Sequence, residues 1–79
     1  MTIDKLKSIL SSQFGIDLDV IKESTDVVED LGADSLDIAE LLSTIEEEWH
    51  VPPIPDSALV DIHTVGELAG LVESRVAAL

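Results

Sequence analysis

Ile3, Leu6, Ile9, Leu10 and Phe14 recur at helical spacing at the head of the chain. Thr2 is placed to cap that helix and Gly15 to end it, which predicts a helix over about residues 3–14. Ile38, Leu42, Ile45 and Trp49 step by four, three and four, an apolar stripe widened by Ala39. Asp37, Glu40, Glu47 and Glu48 occupy the opposite face. This helix opens at Asp34-Ser35 and must end before Pro52, Pro53 and Pro55. Asp56 suits the N-cap of a short helix over about residues 56–61. Thr64-Val65-Gly66-Glu67 then reads as a capping box, Thr64 at the cap and Glu67 at the third helical position. Val65, Leu68, Ala69, Val72, Val76 and Leu79 give the stripe of a last helix.

Between the first two helices, residues 15 to 34 form a long connection. It carries Ile16, Val20, Ile21, Val27, Val28 and Leu31, too apolar for a solvated linker. Loops of this length in small domains are functional or wrap a core. We expect it packed across the helices, with a short turn near Asp19–Lys22. Nothing alternates with period two, and no segment repeats. The pattern predicts an all-α bundle of three main helices plus one short helix, with a long first loop.

Charge narrows the partners. Seventeen acidic residues stand against four basic ones, a net charge of −13. Such a chain repels phosphate backbones, so no nucleic-acid partner is expected, and anionic membrane surfaces are disfavoured too. Basic partners are favoured, and copies repel one another, so a monomer is expected. There is no apolar run long enough for a membrane span. The start, Met1-Thr2-Ile3-Asp4-Lys5, carries no signal-peptide pattern, so a cytoplasmic location is expected. The chain has no cysteine, which excludes disulfides and cysteine-ligated zinc.

Catalytic patterns are missing as well. No glycine-rich phosphate loop of the P-loop or dinucleotide type occurs. His50 and His63 stand at helix ends with no His or Cys partner at ligand spacing, so no metal site is expected. Asp17-Leu18-Asp19 hints at a calcium loop, but Lys22 stands where that loop needs glycine. Ser35 lies outside any Gly-x-Ser-x-Gly elbow, and a bundle of 79 residues has little room for a substrate cleft.

One segment stands out: Glu29-Asp30-Leu31-Gly32-Ala33-Asp34-Ser35-Leu36-Asp37. A glycine turn, permitted by Gly32, delivers a serine to the first turn of an acidic amphipathic helix. Asp34 or Ser35 can serve there simply as an N-cap. A serine at a helix N-terminus is also well placed to hold an attached phosphate, because free N–H groups and the macrodipole favour one.

Leu31-Gly32-Ala33-Asp34-Ser35-Leu36 resembles the phosphopantetheine attachment motif of acyl carrier proteins. The likeness extends through Asp37-Ile38-Ala39-Glu40-Leu41 and Ile45-Glu46-Glu47-Glu48-Trp49. It continues through Ile54-Pro55-Asp56 and Ile62-His63-Thr64-Val65-Gly66. It covers nearly the whole chain as one acyl carrier domain, residues 1–79. The resemblance implies that Ser35 receives 4′-phosphopantetheine from coenzyme A through a separate phosphopantetheinyl transferase. Acyl groups would then ride on the arm's thiol as thioesters, for fatty acid biosynthesis. It implies no catalytic residue in the carrier itself. Asp34 would assist the transferase or its metal.

By the same resemblance, Leu36, Asp37, Glu40, Glu47 and Glu48 would dock on basic patches of acyl-processing enzymes. For Glu46, docking and a merely solvated face are equally expected. The acyl chain would be sheltered between the helices by Leu42, Ile45, Ile54, Leu59, Ile62, Leu68 and Val72. The sequence departs from the fatty-acid carriers at Ser43, where they show an apolar residue. It also departs in the proline-rich run His50–Ile54, in a less acidic short helix, and at Trp49, where Phe is usual. These departures concern partner choice and leave open a specialised carrier for polyketide, secondary-metabolite or lipid pathways. Two readings lie outside the family. An acidic helical interaction domain would not be modified at Ser35, and a small hydrolase would label there with an active-site serine probe.

Overall fold

A computed structural model describes all residues from Met1 to Leu79. Three α-helices, α1 (Thr2–Phe14), α2 (Ser35–Trp49) and α3 (Val65–Ala77), make an all-α fold with short 3-10 helices at Leu18–Val20 and Asp56–Leu59. No helix is long and apolar enough to cross a membrane. Gly15 ends α1 in the left-handed conformation, φ 65°, as its lack of a Cβ allows. α2 ends the same way on His50, φ 53°, the one non-glycine residue with positive φ.

Several local expectations need correction. Thr2 lies inside α1, and the cap position falls to Met1, whose side chain has no oxygen to accept a capping bond. The turn expected near Asp19–Lys22 is a 3-10 helix one residue earlier. The short helix expected over 56–61 closes at Leu59, with Pro55 rather than Asp56 at its cap position. Proline fixes the extended approach there, and the tighter 3-10 geometry favours short runs. Ala39 is exposed and Leu41 fully buried, so the inner face of α2 is rotated from the expected stripe. Val76 is 38 % exposed and Leu79, beyond the helix, 71 %.

The buried residues are all apolar, and Leu6, Leu10, Leu41, Ile45, Val65, Leu68 and Val72 are its most enclosed members. α1 is the common support: α3 packs far more on α1 than on α2. The long loop does wrap the core. Ile21 and Val27 are buried and Ile16 and Leu31 half-buried, but Val20 and Val28 face solvent. The loop is fastened to the start of α3 by backbone bonds. Val27 N–H donates to the His63 carbonyl, Val65 N–H to Thr25 and Gly66 N–H to Glu23, each at 2.9 Å. A Cβ on Gly66 would stand 3.3 Å from the Glu23 oxygen, a tight contact that the Glu23 backbone would have to yield by a few tenths of an ångström to admit.

The capping box at Thr64 is present as expected. The Glu67 carboxylate accepts from Thr64 N–H at 2.9 Å and His63 N–H at 3.0 Å. These bonds, the Thr64 one first, hold the Glu67 pKa below the usual carboxylate value. The charged cap therefore stabilises the fold above the unfolded-state pKa, and that contribution is lost as pH falls through the folded-state one. Glu67→Gln keeps a carbonyl acceptor but no charge. It should be less stable than wild type at neutral pH and equal to it in acid. Thermal unfolding of both proteins across that range checks this, and a gap independent of pH would exclude the charge as its cause.

Only two ion pairs form in this chain of net charge −13: the N-terminus with Asp4 at 4.0 Å, and Lys5 with Glu48 at 2.6 Å. Self-repulsion therefore works against the folded state. Added salt or divalent cations should raise the melting temperature, and a flat salt titration would sink this expectation.

Candidate functional site

The approach to Ser35 is shaped by aspartates bonding to backbone. Asp26 Oδ1 accepts from the N–H groups of Val28 and Glu29 at 2.9 and 2.8 Å, and the Asp30 carboxylate accepts from Asp26 N–H at 2.8 Å. The turn so organised closes with Gly32 N–H on the Val28 carbonyl, 2.9 Å, at a φ of 73°. Nothing lies within 4 Å of a Cβ built there, so the left-handed backbone alone calls for glycine. Ala33 then turns into the core.

Asp34 takes the cap of α2. Its Oδ1 accepts from Asp37 N–H at 2.9 Å, and the Asp37 carboxylate accepts from Asp34 N–H at 3.1 Å. Of the two residues able to cap, the structure selects Asp34 and closes a full box with Asp37. Ser35 is thereby released. It is the first residue of α2, exposed, with its hydroxyl outside the capping bonds. The unpaired N–H groups of the first turn and the positive end of the helix dipole surround it.

Beside Ser35 lies an apolar cleft of about 500 Å³ between α2, the loop, the Asp56–Leu59 helix and α3. Of the seven residues expected to shelter a chain, Leu59, Ile62 and Leu68 line it. Leu42, Ile45, Ile54 and Val72 do not, because they are buried in the core away from this opening. Their places are taken by Val27, Ala33, Ile38 and Leu41, with exposed Val28 and Val60 at the edge. The doublet Leu41-Leu42 was the available signal: two adjacent apolar residues imply a buried face wider than one stripe.

The five docking candidates fall on two sides of α2. Leu36, Glu40 and Glu47 are exposed on one line with Ser43. Asp37 is half-buried and occupied by the capping box, and its carbonyl accepts from Gln13 Nε2 of α1 at 2.8 Å. Glu48 is exposed but paired with Lys5, which also lies 5.9 Å from the Trp49 ring centre. Glu46 is structural: its half-buried carboxylate accepts from Ile54 N–H at 2.9 Å and anchors the proline-rich connection.

Comparison with known proteins adds to this geometry. The family model described as phosphopantetheine attachment site matches residues 4–72. The acyl carrier protein of Clostridium acetobutylicum is 38% identical over 75 residues, which cover 95% of this chain and 96% of that protein. In fold, the chain is similar to the apo doublet acyl carrier protein from prodigiosin biosynthesis, solved in solution, with a TM-score of 0.67 at 22% identity. That match covers 94% of this chain but only 37% of the other.

Proposed function

We propose, from the premise that this chain belongs to the acyl carrier protein family of phosphopantetheine-attachment domains, that Ser35 is the attachment residue and that the carrier serves fatty acid biosynthesis. The chain is a carrier and not an enzyme, as its family is. The observation that supports the site is the Ser35 hydroxyl: exposed, outside the capping bonds, at a helix start and on the wall of an apolar cleft. These residues fit the group. Ser35 Oγ offers the oxygen for a phosphodiester, and the first-turn N–H groups favour the charge it brings. Asp34 and Gly32 set the backbone that presents it. When bound, the arm supplies the thiol that holds acyl groups as thioesters, a group the chain itself lacks.

Proton removal from Ser35 and any metal belong, in this reading, to the phosphopantetheinyl transferase. Leu36, Glu40 and Glu47 meet acyl-processing enzymes on basic patches, an arrangement that favours fast, salt-sensitive encounter. The cleft between Ile38, Leu41, Leu59 and Leu68 takes the acyl chain. The carrier acts as a cytoplasmic monomer, its charge keeping copies apart. The fatty-acid assignment rests on the resemblance of Leu31–Leu36 and its flanks to the fatty-acid carriers and on the aliphatic walls of the cleft. Ser43 favours a second reading, a specialised polyketide or secondary-metabolite carrier. It puts a hydroxyl at the middle of the exposed line between Glu40 and Glu47.

Incubation with coenzyme A, magnesium and a broad-specificity transferase should add the mass of one phosphopantetheine. No gain, with folded protein and an active control, would leave an acidic adaptor. Elongation of the loaded carrier by enzymes of a dissociated fatty-acid synthase separates the two pathways. Failure there, with a control carrier elongated, would favour the specialised role.

A further inference from the structure

The cleft beside Ser35 has walls of one kind and a rim of another. Nine of its twelve lining residues are apolar, and the other three are Asp34, Ser35 and Asp56. No lysine, arginine or histidine lines it. The Asp34 carboxylate is committed to the Asp37 N–H. Asp56 is the exposed first residue of the short helix that Pro55 leads into. A neutral aliphatic chain entering here gains by leaving water and meets no polar group that must be satisfied. A carboxylate entering beside the thioester meets two like charges and no cation, and it loses water that the walls cannot replace.

We infer that Asp56, with Asp34, makes the mouth of the cleft a charge filter, so that neutral acyl chains are withdrawn into it while acyl groups bearing a carboxylate next to the thioester stay in solvent. The inference rests on Ser35 being the attachment residue. Its consequence is a sorting of cargo by the carrier itself: chains awaiting further work are stored, and carboxylated units are left displayed to the next enzyme. Asp56 acts through charge, as a specificity residue, and touches no reacting atom.

The test uses the loaded protein with hydrolysis-resistant amide analogues of two cargoes of equal chain length, hexanoyl and 2-carboxyhexanoyl. Methyl resonances of Ile38, Leu41 and Leu68 report burial, and the melting temperature reports stabilisation. In wild type, hexanoyl should shift these methyls and raise the melting temperature. The carboxylated cargo should show a buried population about tenfold lower, the order expected for like charges at a protein surface. Asp56→Asn should narrow that difference and Asp56→Lys should close most of it, with hexanoyl unchanged. The methyl ester of the carboxylated cargo should enter the wild-type cleft, a check that needs no variant. Equal burial of both cargoes in wild type, or a difference that neither Asp56 variant changes, would overturn the filter. So would exclusion of the methyl ester. Failure to load the protein at all would instead strike the attachment reading, and loading without any hexanoyl shift would strike the cleft as the cargo site and the filter with it.

Discussion

Ser35→Ala should abolish arm transfer completely while leaving the fold intact. The two halves of this expectation have separate physical grounds. Transfer needs an oxygen nucleophile, and alanine offers none. The fold does not need that oxygen, because Asp34 caps α2 and closes the box with Asp37. Ser35 sits exposed at the first helical position, with nothing packed on its hydroxyl to lose. Alanine is also the better helix former by a few tenths of a kcal/mol. Stability should therefore stay within about 0.5 kcal/mol of wild type. Intact mass after transferase treatment reads the first half, and circular dichroism with urea unfolding reads the second. A mass gain in the variant would place the arm on another hydroxyl. Gross loss of helix would make Ser35 a structural residue. Asp34→Ala makes the informative contrast: it should lose about 0.5–2 kcal/mol with the cap, yet retain the attachment oxygen.

The largest effect on stability should come from Leu6→Ala, a residue outside the lining of the cleft. Leu6 is completely buried in α1, the helix on which α2 and α3 both rest. Removing a buried leucine to alanine costs about 2–5 kcal/mol, because the cavity does not fully collapse. A core of this size supplies only about 3–5 kcal/mol in all. The variant should thus be largely unfolded at room temperature, with a weak or absent cooperative transition. Leu18→Ala is the control: Leu18 is 45 % exposed on the 3-10 helix, and its truncation should stay within about 0.5 kcal/mol. A cooperative Leu6→Ala transition near the wild-type midpoint would mean that the core has reserves its size does not suggest.

What could be read from the chain and what could not divide along the range of the interactions. Gly15, the Thr64–Glu67 box and the prolines after Trp49 act on backbone within a few residues, so spacing alone exposes them. The Asp34–Asp37 box was half-visible: both aspartates stood in the motif, but an acidic residue at the third helical position carries less signal there than Glu or Gln. The serine proposed as the attachment residue could be singled out because its whole setting, Leu31 to Leu36, is contiguous. The cleft was not, since its walls come from the loop, α2, the Asp56–Leu59 helix and α3 at once. Leu42 and Leu41 are neighbours in sequence, yet only Leu41 reaches the opening. The five docking candidates also differ in ways that single-helix spacing does not show. Asp37 is held in the capping box and Glu48 is paired with Lys5 of α1, and only the packing of that helix shows the second of these.

The backbone bonds that tie Val27 to His63, Thr25 to Val65 and Glu23 to Gly66 join parts of the chain far apart in sequence. Helices form from local contacts, whereas such ties wait until a long stretch of chain has closed on itself. The Ala33 N–H in turn donates to the Val27 carbonyl, so the residues leading into α2 hang from this late closure. This topology predicts an order of folding in which α1 and α2 form early and the stretch before Ser35 takes its final shape only once α3 has arrived.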